Sequence, residues 1–375
     1  MDKLSQRGDK DRESSDGTIL RERLAGIVEG LYDIGKVTAV WEIFGGYNSR
    51  SFGVEVVRDG HPRTFYVRKY KRGVAAAEIQ FEHALIRHAI QNGFTICAGV
   101  VAGTKGKTFV RPADSRSMFA VYDFLGGEDK YTWDHQDLTD AEFESAGRVL
   151  ANFHNAVCDF DPGGLQRAEP PILSLWPRLA HNFERAARHS CSGKFNAQYA
   201  SNHQSLQDTI ACNPLDPADT EALAVIPIHC DYHPGNLKWT DERVVGIFDF
   251  DWSKMDLRLF DVGLAVIYFC CRWGQPHDGQ LRPDKCGLFL RAYQHRLQEL
   301  AGLEALTAAE QKLLPKMMKI ANIYLAHWVV SDYRKTTGAD DGEYLVYFNH
   351  CLRLMHWLDR HQATLEETIY GAITR

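Results

Sequence analysis

Residues 228–239 read IHCDYHPGNLKW. The stretch sets His229, Asp231, His233 and Asn236 within eight residues, with an apolar run on either side. Three chemistries fit such a cluster: a metal site, a polar turn, or a catalytic loop. As a zinc site, His229 and His233 have the four-residue spacing that suits a helix. Pro234 and Gly235 break a helix at once, however, and no HExxH glutamate accompanies them. As a polar turn, the stretch is ordinary, because Asp and Asn favour turns. As a catalytic loop, an Asp five residues before an Asn suits phosphoryl transfer. The Asp orients an attacking hydroxyl or takes its proton, and the Asn carbonyl oxygen helps to hold Mg²⁺. Such a cation wants a second hard oxygen ligand. VVGIFDFD, residues 244–251, supplies Asp249 and Asp251, and a strand-turn-strand path returns Asp249 to Asn236. Alternation along a strand places Asp251 on the same face as Asp249. Twelve residues past Asp249, Asp261 opens the apolar run DVGLAVIYFCC.

The bulk composition narrows the classes. The chain has 375 residues, which predicts two domains or lobes. A net charge of -6 argues against a nucleic-acid partner, which needs a basic surplus. The nine cysteines are odd in number and contain no CxxC pair, so reduced thiols in a cytoplasmic protein are expected. Residues 1–18 are polar and charged and are expected to form a disordered tail. DVGLAVIYFCC is too short to span a bilayer, so no membrane partner is expected.

The chain changes character along its length. An amphipathic helix is predicted from about Thr18 to Tyr32. Strands follow, with Asp59-Gly60 as a hairpin turn between GVEVV and TFYVRKY. A helix over AAAEIQFEHALIRHAIQNGF precedes further strands near TICAGVVAG, KTFVRP and SMFAVYDF. Beyond Gly126-Gly127 the segments read mainly helical, starting with the capping-box pattern Thr139-Asp-Ala-Glu142. Short strands near IPIHC, NLKWT and VVGIFDF are the exceptions. The expected organisation is therefore α+β: a β-rich N-terminal lobe over 19–126 and a larger, mainly helical C-terminal lobe over 127–375.

HxDxxxxN at 229–236, an apolar strand ending in Asp249, and Asp261 before an apolar helix together resemble one known group. It is the aminoglycoside phosphotransferase, choline kinase and type II homoserine kinase superfamily. GRVLANFHNA at 147–156 is similar to that superfamily's LAxxH helix, and IFDFDWSKMDLRLFDVG looks nearest to its homoserine-kinase-like branch. The resemblance implies a two-lobed, protein-kinase-like fold that binds ATP between its lobes with Mg²⁺. It implies Asp231 as the catalytic base or hydroxyl-orienting group, Asn236 and Asp249 as Mg²⁺ ligands, and His229 and Asp261 as braces. Position 230 is Cys where the family often has Gly, a small change in volume.

The nucleotide side follows from the same likeness. FGGYNSRSF carries Gly45 and Gly46 and resembles the family's short phosphate loop, with Ser49 at the position that touches phosphate. Aligning YVRK places Arg68 as the phosphate-gripping cation on the third strand, with Lys69 on the opposite face. Its helix partner is Glu82 or Glu78, with Glu82 preferred. Backbone groups from Asp123 to Leu125 would meet the adenine edge. Eleven residues separate Asp249 from Asp261 and no APE motif follows, which favours a small-molecule hydroxyl over a protein as acceptor. A pseudokinase and a kinase acting on a protein hydroxyl are the rivals. Tyr324, Trp328 and Asp332 lie four apart on a helix-like run and could face a cationic substrate or simply form core.

Overall fold

The computed structural model describes residues 21–43, 49–113, 115–134, 137–188 and 192–373. The expected tail and the Gly45-Gly46 pair lie outside these residues. The chain divides into two compact units, one of residues 1–90 and 95–126, the other of 91–94 and 127–375.

In the first unit, helix α1 covers 21–31. Leu24, Ile27 and Val28 recur at helical spacing and, with Tyr32, bury against Val54, Val56, Phe65, Val67, Phe119 and Val121. Each such aliphatic side chain contributes roughly 1.5–3 kcal/mol when fully buried. The facing sheet is antiparallel, in the order β1-β2-β3-β5-β4. Its strands are β1 (Lys36–Ile43), β2 (Arg50–Arg58), β3 (His61–Lys69), β4 (Phe109–Val110) and β5 (Phe119–Asp123). Asp59 and Gly60 have φ of 53° and 79°, the left-handed pair that a two-residue hairpin between twisted strands requires. Trp41 pairs with Gly53 across β1 and β2. A Cβ at Gly53 would stand 2.1 Å from the indole Cε2, so the ring lies flat across the glycine. Its centroid is 6.4 Å from that of Phe124. Helix α2 (Ala76–Gln91) follows β3. TICAGVVAG departs from expectation: it forms no named strand, and Val100 makes an isolated bridge to Tyr122. On the side of β5 away from β3, β4 occupies Phe119 and Ala120, which leaves only 121–123 for this segment, where Val101 N donates to Val121 O and Asp123 N to Gly99 O, both at 2.8 Å.

The second unit opens with α3 (Asp140–Val157), whose capping box between Thr139 and Glu142 is formed as expected. Then come α4 (Ile172–Ala187), α5 (Lys194–Cys212), the single turn α6 (Pro217–Thr220), and four short strands. These are β6 (Val225–Ile228), β7 (Leu237–Thr240), β8 (Arg243–Ile247) and β9 (Lys254–Leu257). Helices α7 (Arg258–Cys270), α8 (Pro283–Glu299), α9 (Ala308–Lys335), α10 (Asp341–Arg360) and α11 (Gln362–Ile373) complete it. α3 and α11 pack on α8, and α7 and α10 pack on α9. Almost every residue of α7 is buried, so its all-round apolar sequence belongs to a core helix. Among the described residues no helix is long and apolar enough to cross a membrane. On α9, Tyr324 is buried with its hydroxyl on Glu169, and Asp332 is buried against the Tyr344 hydroxyl at 2.5 Å. Tyr324 and Asp332 are thus packed side chains, and only Trp328 of that stripe is half-exposed.

Candidate active site

The four short strands form two nested antiparallel pairs, β6 with β9 outside and β7 with β8 inside. Two connections therefore run side by side: 229–236 from β6 to β7, and 248–253 from β8 to β9. Asp231 and Asn236 lie on the first, and Asp249 on the second. A backbone bond joins the two connections, with Phe248 N donating to Asn236 O at 3.1 Å. His229 Nε2 donates to Phe248 O at 3.1 Å, and burial lowers the imidazole pKa against the opposing pull of Asp261 and Asp231. His229 thus braces the two connections.

Asp261, in the first turn of α7, supports the first connection from beneath. Its carboxylate accepts from His229 N at 2.9 Å, Cys230 N at 2.8 Å and His154 Nε2 at 3.0 Å. Burial alone would raise the Asp261 pKa; the hydrogen bond from His154 and the backbone N–H of His229 outweigh it and hold the pKa below the ordinary carboxylate value. These bonds bend the backbone so that Cys230 takes φ 63°. The departure from Gly at this position is therefore conformational rather than volumetric. A non-glycine residue is strained there by about 1 kcal/mol or more. Asp249 is also left-handed, at φ 65°. Strand β8 ends at Ile247, and residues 250–252 form a 3₁₀ turn. Strand alternation therefore does not apply to Asp251, which sits inside that turn.

Both oxygens of Asp231 are held. The Tyr268 hydroxyl donates to Oδ1 at 3.1 Å, and Asn236 Nδ2 donates to Oδ2 at 3.1 Å and to the Asp231 carbonyl at 2.9 Å. His233 Nε2 stands 3.7 Å from Oδ2. Burial, then the nearby Asp249 charge, pushes the Asp231 pKa up to about 6, against the opposing pull of His229, Tyr268 and Asn236. Tyr268 carried no motif signal: it lies seven residues after Asp261, two helical turns along α7, and only the fold shows that it reaches the loop.

In the first unit, Arg68 is buried on β3, and its guanidinium lies 4.0 Å from Glu82 Oε1. Glu78 instead closes its own helix turn by accepting from Ala75 N at 3.2 Å. Glu82 accepts from the Tyr122 hydroxyl at 2.8 Å and the Tyr70 hydroxyl at 3.1 Å. His83 Nε2 meets the Tyr122 hydroxyl at 2.9 Å, and burial drops its pKa to about 3. This web around Glu82 was not legible in sequence, because Tyr70, Tyr122 and His83 read as ordinary strand and helix residues. Ser49 precedes β2 and is half-buried. Asp123 ends β5 with its N–H on Gly99 O at 2.8 Å, and Leu125 follows in coil.

The β-rich unit holds a buried Arg–Glu pair and the helical unit an Asp–Asn loop on a connection bonded to that of a second Asp, the layout expected of a kinase. The chain belongs to the phosphotransferase enzyme family, whose sequence profile matches residues 43–306. The homoserine kinase of Afipia carboxidovorans is 26% identical over 303 residues, covering 80% of this chain and 81% of that protein. Spectinomycin phosphotransferase, solved with ADP and spectinomycin, has a TM-score of 0.62 at 14% identity, covering 91% of this chain and 98% of that one. A microcompartment-associated aminopropanol kinase has a TM-score of 0.62 at 18% identity, covering 92% and 98%. The fold is thus the protein-kinase-like one, α+β, with a β-rich and a mainly helical part.

Proposed function

We propose that this protein transfers the γ-phosphoryl group of ATP, with Mg²⁺, to the hydroxyl of homoserine or a closely similar amino alcohol. The observation that carries this is the pairing of connections 229–236 and 248–253, which sets Asp231 and Asn236 beside Asp249. The likeness to homoserine kinase supports the acceptor. In this reading the Asp231 carboxylate accepts the acceptor's hydroxyl proton, and Tyr268 and Asn236 fix its orientation. The Asn236 NH₂ group is engaged by Asp231, which leaves its carbonyl oxygen as the atom for a cation. That oxygen and the Asp249 carboxylate are the hard donors Mg²⁺ prefers, so the donor set fits. Bound there, Mg²⁺ would offset the phosphates' negative charge. Arg68, held by Glu82, would contact phosphate, Ser49 would donate to it, and the backbone from Asp123 to Leu125 would meet the base. All eight described cysteines are free, which supports a cytoplasmic setting. The net charge of -6 supports a small-molecule rather than a nucleic-acid partner.

The test is ADP release with ATP and Mg²⁺ across homoserine, 3-aminopropan-1-ol, choline and aminoglycosides. Homoserine should raise turnover most. Asp231→Asn should lower kcat by about 10²–10⁴-fold with a folded protein. Unchanged turnover in that variant would remove Asp231 from the mechanism, and a flat panel would remove the proposed acceptor.

A further inference from the structure

Residues 167–172 run alongside 252–256 in the second unit. The Arg167 guanidinium lies over the Trp252 ring, 4.5 Å from its centroid. Glu169 Oε1 accepts from Lys254 Nζ at 2.9 Å, and Pro170 O from the same amine at 3.1 Å. Ile172 N donates to Asp256 Oδ2 at 2.8 Å. Tyr324 clamps the middle of the segment, since its hydroxyl donates to Glu169 at 2.9 Å. The segment is therefore fixed in place, and Arg167 with it.

Arg167 differs from the other cations on this ladder. Lys254 is buried and paired with both Glu169 and Asp256. Arg167 pairs with no carboxylate among the described residues, and its Nε is buried with no hydrogen-bond acceptor. A buried donor left so is unfavourable until an acceptor arrives. Its mount places it at the 3₁₀ turn that Asp249 opens and Trp252 ends. That region already holds the carboxyl groups of Asp231, Asp249 and Asp251, which repel an anionic group on an acceptor. An amino-acid acceptor brings such a group, and a planar guanidinium with paired donors is the side chain that suits it.

We propose that Arg167, held on the Trp252 ring beside the Asp249 connection, binds the acceptor's carboxylate and so selects a hydroxyl amino acid over the matching amino alcohol. The inference rests on the reading of the acceptor given above. It is tested by steady-state kinetics with homoserine and with 3-aminopropan-1-ol, which lacks the carboxylate, at saturating ATP and Mg²⁺. In the wild type, kcat/KM should favour homoserine by roughly tenfold or more. Arg167→Met should collapse that ratio, chiefly through a higher KM for homoserine, with little change in the KM for ATP. Arg167→Lys, which keeps the charge but not the paired donors, should fall between them, and it decides the matter if the methionine variant does not fold. An equal fall on both acceptors would overturn the proposal and place Arg167 on the phosphoryl group or in a packing role, as would an unaltered ratio. A wild type that phosphorylates neither acceptor would remove the acceptor assignment itself, and this inference with it.

Discussion

At the scale of single residues, the electrostatics of Asp231 give a prediction that does not depend on turnover. Its carboxyl is pushed up to about 6 by burial and then by Asp249. A carboxyl raised above its usual value of about 3.9 favours the folded state when protonated. Its contribution is complete below about pH 4 and is lost as pH rises through about 6. Asp231→Asn removes that liability, and an asparagine can still meet Tyr268 and Asn236. With chelator present, the variant should gain on the wild type as pH rises, reaching about 1–3 kcal/mol at pH 8. Urea unfolding at pH 4 and pH 8 measures it, and a difference independent of pH would contradict the account. Most of the roles proposed here rest on residues that could be picked from the sequence, because Asp231, Asn236 and Asp249 stand at fixed intervals along the chain. The strain at Cys230 could not be, since a residue's φ is set by what its neighbours bond to. Here the setting group is Asp261, 31 residues away in the chain.

At the scale of elements, the nested strand pairs are the unit that assembles the site. Three of their four strands read clearly in sequence. The fourth, KMDL at β9, did not, because Lys254 and Asp256 look like surface residues. Both are buried, and they satisfy each other: Lys254 Nζ lies 3.1 Å from Asp256 Oδ2. A buried ion pair inside a strand hides it from any apolar pattern. TICAGVVAG misleads in the opposite sense, since its apolar residues fit a strand but little free sheet edge remains for it. The element that locks the pairs to the helices is the first turn of α7. Asp261→Ala leaves the buried N–H groups of His229 and Cys230, and the His154 imidazole, without their acceptor. The expected cost is about 3–5 kcal/mol in denaturant unfolding, with loss of turnover. A cost under 1 kcal/mol would show that other groups support the loop.

At the scale of the whole molecule, the tryptophans are unevenly shared. Of the eight in the chain, Trp41 alone falls in the first unit, on β1, and the other seven lie beyond residue 127. The flat seat of its indole across Gly53, with Phe124 nearby, leaves the ring 37% exposed. One ring thus acts as a built-in optical gauge for the β-rich unit. Subtracting the emission of Trp41→Phe from that of the wild type isolates its signal. Adding Mg²⁺ and a non-hydrolysable ATP analogue should shift that difference spectrum, because the backbone proposed to meet the base runs through Phe124. An unchanged spectrum at saturating nucleotide would move the base away from residues 123–125. A shift would let nucleotide arrival be timed by light alone, in the absence of any acceptor.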